Sequence, residues 1–170
     1  EDGSVTDKEI AYTERRAAGG VAMIIVGSIC VRPDGNFGGQ LFIENDDRIA
    51  GLRRLTDAVH RHDCLIAAQI HHSGRETNKK TSGYQPVAPS PFEPESFTGA
   101  QAEYDPPHVL STEEVREMVE CYAQGVRRAR GAGFDMCELH CAYGYLISSF
   151  MSPLTNRRTD EYGGSFLGRM

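Results

Sequence analysis

Asp135-Met136-Cys137-Glu138-Leu139-His140-Cys141-Ala142-Tyr143-Gly144-Tyr145-Leu146 is the stretch that decides how this chain is read. Cys137, Leu139 and Cys141 alternate with Glu138, His140 and Ala142, a period of two that predicts a short strand buried on its apolar parity. The other parity carries a carboxylate and an imidazole, which are costly to bury without partners. Two phenols, Tyr143 and Tyr145, then flank Gly144. Polar residues thus gather at the C-terminal end of the strand, where parallel α/β proteins keep their chemistry. Taken alone, His140 also admits a plainer reading, as a core histidine held by one hydrogen bond.

Working outward, the segments upstream repeat one pattern. Thr6-Asp7-Lys8-Glu9 reads as a capping box opening a helix that stops at Gly19-Gly20. Val21 to Val26 is apolar on both parities, the mark of a parallel strand covered on both faces. It leads through Gly27-Ser28 to the glycine-rich segment Gly35-Asn36-Phe37-Gly38-Gly39, whose spacing does not match a dinucleotide fingerprint and which reads as a flexible loop. Asn45-Asp46-Asp47 supplies a cap and acidic first-turn residues for a helix with the stripe Ile49, Leu52, Leu55 and Val59. The strand Leu65 to His72 follows, with Ile66, Ala68 and Ile70 on one face and Ala67, Gln69 and His71 on the other. Gln69 is then a strand amide able to donate and accept, either satisfied by neighbouring backbone or aimed at a polar heteroaromatic ring.

From about Glu76 to Leu110 the chain is irregular and holds six of the eight prolines, Pro94 among them. So long a loop after a strand end suits a cap over a site. Ser111-Thr112-Glu113-Glu114 is a second capping box, and Val115, Met118, Val119, Tyr122 and Val126 mark an amphipathic helix ending at Gly131-Ala132-Gly133. The order helix, strand, helix, strand, helix, strand predicts a parallel sheet or part of a (β/α) barrel.

Composition narrows the classes. The 170 residues are 39% hydrophobic and 25% charged, ordinary for one globular domain, and the net charge of -6 argues against a nucleic-acid footprint. The longest apolar run, Val21 to Val31, has 11 residues, short of the ~20 needed to span a bilayer. Five cysteines without a regular framework, and no leader-like opening, lead us to expect a cytoplasmic protein. No three of the His and Cys residues share a face at ligand spacing, so no metal site is expected.

The ordered motifs narrow the reading further. Gln69-Ile70-His71-His72-Ser73-Gly74-Arg75, Pro86-Val87-Ala88-Pro89-Ser90, and Glu138-Leu139-His140 with Ala142, Gly144-Tyr145-Leu146, Phe150, Ser152-Pro153, Asn156, Arg158, Asp160 and Tyr162-Gly163-Gly164 together resemble the old yellow enzyme family of FMN-dependent ene-reductases. The similarity is greatest to the bacterial branch with NADH:flavin oxidoreductases and 2,4-dienoyl-CoA reductase, and it covers essentially the whole chain.

The resemblance implies a partial TIM (β/α)8 barrel with about three βα units and a long capping loop. Residues 1–170 would form a single FMN-binding domain lacking N- and C-terminal barrel strands, a fragment of a longer enzyme. It implies FMN as cofactor, NADH or NADPH as reductant, and a small unsaturated carbonyl or enoyl-CoA substrate, with a homo-oligomer compatible. A 4Fe-4S cluster and FAD would belong only to a long multidomain parent. By the same resemblance Gly27 and Ser28 contact FMN, Gln69 bonds the polar edge of its ring system, and His140 lies at the flavin and binds the substrate carbonyl oxygen. Tyr145 delivers a proton to the substrate. The second oxygen-binding position, usually His or Asn in the family, is Tyr143 here. The alternatives are a flavin-independent TIM-barrel enzyme and a non-catalytic truncated half-barrel.

Overall fold

The computed structural model describes residues 2–91 and 105–170, so the middle of the proline-rich stretch, with Pro94, lies outside the described residues. In chain order the elements are α1 (Asp7–Ala18), β1 (Met23–Cys30), a 3-10 turn (Pro33–Gly35), β2 (Leu41–Phe42), α2 (Arg48–His60), β3 (Leu65–His71) and α3 (Lys79–Ser82). Then come β4 (Val87–Ala88), β5 (His108–Val109), α4 (Thr112–Gly131), β6 (Met136–Leu139), α5 (Leu146–Met151) and α6 (Phe166–Arg169). They form two compact units that interleave along the sequence. One comprises the described residues of Glu1–Arg32, Gly39–His71 and Glu120–Leu139; the other comprises those of Pro33–Gly38, His72–Val119 and His140–Met170.

The first unit is a parallel sheet in the order β2-β1-β3-β6. The three longer strands follow one another in a single direction with helices between them, the order a barrel wall requires. Met23 pairs with Leu65, Ile25 with Ala67 and Ala67 with Met136, while Gln69 stands opposite Glu138. One face is the core: Val26, Ile66, Ala68 and Ile70 pack with Leu52, Leu55 and Val59 of α2 and with Ala129 of α4. Thr6 Oγ1 accepts from Glu9 N at 3.1 Å as the capping box predicts, and α1 lies against α2.

Strand exposure corrects two expectations. β1 is not covered on both sides, since Met23 and Ile25 are exposed, and β6 is not buried: its four residues are all exposed, Leu139 at 49%. β6 ends the sheet's strand order, so its outer edge has no strand partner among the described residues. One cap and one helix stripe also differ from expectation. Asp47 caps α2 without a side-chain bond, and Asn45 instead closes a turn by accepting from Asp47 N at 3.0 Å. On α4, Val119 and Val126 are exposed; the tight contact comes from Gly125, where an added Cβ would lie 3.0 Å from Val31 Cγ1.

The second unit is built on short elements and side-chain ties. The glycine-rich segment opens in the 3-10 turn Pro33–Gly35 and is tied to the chain after β3 at Gly35 and Asn36. Asp34 and Gly35 are buried, Ser73 N donates to Gly35 O at 3.0 Å, and Thr77 Oγ1 donates to Asn36 O at 2.6 Å. A Cβ on Gly35 would strike the fully buried His72 ring at 2.5 Å, so glycine is required there by close approach. The proline-rich stretch carries a two-stranded parallel ribbon, β4 with β5. Arg158 ties that ribbon to the chain after α5: its guanidinium donates to Pro89 O at 3.0 Å, to Leu110 O, and through Nε to Asp160 Oδ1 at 2.9 Å. Ser111 and Glu114 close the second capping box in both directions, at 2.7 and 3.2 Å. No helix among the described residues is long and apolar enough to cross a membrane.

Two outcomes test this packing. Gly125→Leu should destabilise the protein by about 1–3 kcal/mol through overpacking against Val31, read as a lower urea midpoint at unchanged slope. The Asp160 carboxyl is held well below its usual range, first by the Arg158 guanidinium and then by Thr112. A depressed acid stabilises the fold above its unfolded value and loses that contribution as pH falls through its native value. Asp160→Asn should therefore flatten the fall in stability below about pH 4, measured by urea unfolding at stepped pH.

Candidate active site

In the sheet unit, register sets the first cluster. Gln69 and Glu138 share the face opposite the core, and Gln69 Nε2 donates to Glu138 Oε1 at 2.6 Å. That bond fixes which end of the amide is the donor end and turns Oε1 toward Gly27. A Cβ on Gly27 would stand only 2.7 Å from Gln69 Oε1, so the amide can lie where it does because residue 27 has no side chain. Ser28, next in the chain, accepts from Gln40 Nε2 at 2.5 Å, and Gln40 is itself buried. Gly27, Ser28 and Gln69 were all singled out by the sequence. Glu138 was read as a strand carboxylate and a motif residue without a site role, and Gln40 not at all. A polar residue of matching strand parity was the available signal for Glu138; Gln40 gave none.

The second cluster lies in the other unit and begins at His140, directly after β6 in the chain. His140 is half-buried, not a core histidine. Ala142 N donates to its Nδ1 at 3.4 Å, which leaves the proton on Nε2 and makes that nitrogen the donor. The structure brings its three predicted residues together: the His140 and Tyr145 rings meet edge to face with centroids 4.8 Å apart, and Tyr143 lies 6.0 Å from His140 and 6.1 Å from Tyr145. Tyr143 and Gly144 both take left-handed backbone, φ 58° and 77°, which turns the Tyr143 side chain outward to 83% exposure. Tyr145 is held the other way. It caps α5, its N–H donates to Ala142 O at 3.1 Å, and its ring stacks on Phe37 at 5.8 Å with 6° between planes.

Electrostatics set Tyr145 apart. Burial raises its phenol above the ordinary tyrosine value, and the charges of Glu76 and Tyr143 push the same way. It therefore stays protonated at neutral pH and can donate. Phe37 and Glu76 were not among the sequence-predicted site residues. Phe37 sat in a segment read as plain loop, and Glu76 at the start of an irregular stretch.

The cluster of His140 and Tyr145 offers a hydrogen-bond donor and a proton source side by side. The Gly27–Gln69–Glu138 cluster offers a fixed amide on an open sheet face.

Comparisons with known proteins identify the family. The model of the NADH:flavin oxidoreductase / NADH oxidase family matches residues 1–170. The chain is 48% identical to an NADH oxidase of Thermoanaerobacter brockii, over 100% of this chain and 26% of that protein. Among solved structures it matches a 2-naphthoyl-CoA reductase in complex with 2-naphthoyl-CoA, with TM-score 0.89 and 28% identity over 99% of this chain and 27% of the other. It also matches an old yellow enzyme homologue from Zymomonas mobilis, with TM-score 0.84 and 31% identity over 99% of this chain and 48% of the other. The chain thus spans between a quarter and half the length of these relatives. It belongs to the NADH:flavin oxidoreductase / NADH oxidase family, and its parallel α/β sheet is part of that family's TIM barrel.

Proposed function

We propose that this chain is part of an FMN-dependent oxidoreductase that uses NADH or NADPH to reduce the activated C=C bond of α,β-unsaturated carbonyl compounds, enoyl thioesters included. The observation that carries this reading is the His140–Tyr145 pair, a fixed N–H donor 4.8 Å, centroid to centroid, from a protonated phenol. Such a pair serves a reaction in which one oxygen gains negative charge while a nearby carbon gains a proton. The bound 2-naphthoyl-CoA of the structural relative supports the thioester branch.

The residues present fit FMN. A pyrimidine edge offers both donors and acceptors, and the Gln69 amide, oriented by Glu138 with its oxygen in the space Gly27 leaves, can answer both. Ser28, held by Gln40, would line the same group. FMN, when bound, supplies the hydride that nicotinamide has delivered to it. We propose one FMN-binding domain for residues 1–170, with His140 lying at the flavin as well as at the substrate.

The chain's own residues then act on the substrate. His140 Nε2–H donates to its carbonyl oxygen, stabilising the negative charge that grows there as the β-carbon is reduced. Tyr143 extends a second O–H donor toward the same oxygen. Tyr145 Oη gives its proton to the α-carbon and is left as phenolate until solvent returns one.

Two outcomes test the reading in the intact protein. Gly27→Ala should displace the Gln69 amide and weaken FMN binding roughly tenfold, about the worth of one hydrogen bond, measured by flavin fluorescence titration. Tyr145→Phe should slow substrate reduction about a hundred- to ten-thousand-fold, while stopped-flow reduction of the flavin by NADH or NADPH stays near normal. If both half-reactions were unchanged, the proton-donor assignment would be wrong.

A further inference from the structure

We propose that Glu76, clamped by Arg75 beneath the Tyr143–Gly144–Tyr145 turn, is a positioning residue for Tyr145, whose carboxylate keeps the phenolic proton on oxygen until the substrate takes it. The inference rests on the proton-donor reading of Tyr145 given above.

Geometry supplies the main argument. Arg75 Nε and Glu76 Oε1 lie 3.1 Å apart with side chains only 12% and 14% exposed. Opposite charges this sheltered are not a surface pair; both lose hydration, and the site must compensate. They press against the backbone between the two tyrosines: a Cβ on Gly144 would stand 3.1 Å from Glu76 Oε1 and 3.5 Å from Arg75 Nη2. Gly144, with φ 77°, lets the carboxylate come that close to the residue before Tyr145.

Glu76 is also anchored. Its N–H donates to Ser73 O at 3.2 Å, and Ser73 and Thr77 on either side both bond the Pro33–Gly38 segment. That segment carries Phe37, whose ring lies parallel to Tyr145. One short turn of chain therefore fixes both the carboxylate and the ring that stacks on the phenol.

The electrostatics agree in sign. Burial is the first cause that raises Glu76, opposed by Arg75, and Glu76 is the first of the charged groups that raise Tyr145, followed by Tyr143. Among the described residues, Glu76 and Tyr143 act on the charge of Tyr145, Arg75 pairs with Glu76, and the His140 ring meets Tyr145 edge to face. A phenolate forming beside a carboxylate is repelled, so the proton stays on Tyr145 Oη at pH values where an unassisted buried donor would already leak it to solvent.

The test is Glu76→Gln in the full-length protein, with Tyr145→Phe made in both backgrounds. Ultraviolet difference titration of tyrosinate, each protein minus its Tyr145→Phe counterpart, isolates the Tyr145 midpoint. The expected result is a fall in that midpoint of between a few tenths and about one pH unit. The alkaline limb of substrate reduction should fall by the same amount. A midpoint that does not move overturns the Glu76 assignment. Should Glu76→Gln fail to fold, Arg75→Gln serves instead. It leaves the carboxylate without its partner cation and should move the midpoint upward, and an unmoved midpoint there overturns the assignment equally. The two readings separate cleanly. Slow Tyr145→Phe turnover with an unmoved midpoint removes Glu76 alone, whereas a moved midpoint with normal Tyr145→Phe turnover removes the proton-donor reading and the purpose of the coupling with it.

Discussion

Parallel pairing of β3 with β1 on one side and β6 on the other is the constraint on which the sheet unit depends. Side chains alternate along a strand, so a one-residue slip in either ladder would send Gln69 into the core and Ile70 out of it. With the register as it is, Ile66, Ala68 and Ile70 enter the core together, and Gln69 meets Glu138 across the β3–β6 ladder. The chain leaves β6 after Leu139, so His140 follows the ladder without a spacer. Hydrophobic burial on one face thereby fixes the polar groups on the other.

The second unit meets a different difficulty, because it has little regular structure to hold its rings. It relies on buried polar ties instead. His72, fully buried, accepts from Gly74 N through Nδ1 at 3.0 Å and donates toward Asp34 Oδ1 through Nε2 at 3.3 Å. Its backbone oxygen also accepts from Leu146 N at 3.1 Å, so one residue links the Phe37 segment to the start of α5. A buried polar group left unmet costs about 1–3 kcal/mol, which makes such a junction stable only when all its partners are present. Tyr145 inherits its position from that junction.

Much of this was legible before any coordinates. The capping box at Ser111 and Glu114 is local chemistry, and both of its bonds form. The stripe Leu52, Leu55 and Val59 is set by helical spacing, and it is buried. His140, Tyr143 and Tyr145 lie within six residues, so their meeting needed only a turn. What was not legible depends on partners distant in sequence. Gln40 reaches Ser28 across 12 positions and Gln69 reaches Glu138 across 69, and nothing in either local pattern encodes that. Exposure of Cys137 and Leu139 was misread because apolar alternation states which residues can be buried, not whether a neighbour is there to bury them. Glycine misled for a related reason: Gly35 signals chain freedom in sequence, yet here it is required by the His72 ring that presses on it.

On the proposed reading, the environment of Tyr145 carries an inherent tension. Burial and the neighbouring carboxylate keep the phenol protonated, but the same effects make it a weaker acid at the moment of transfer. A proton donor to carbon can tolerate this when its acceptor becomes strongly basic, as an enolate-like carbon does once hydride has arrived. The order of events then follows from the electrostatics. His140 Nε2–H must first stabilise charge on the carbonyl oxygen, which makes hydride arrival feasible. Only the carbanion character that results is basic enough to draw the proton from so guarded a phenol. A site that held the proton loosely would lose it to solvent; one that also lacked the His140 donor would never generate a base able to take it.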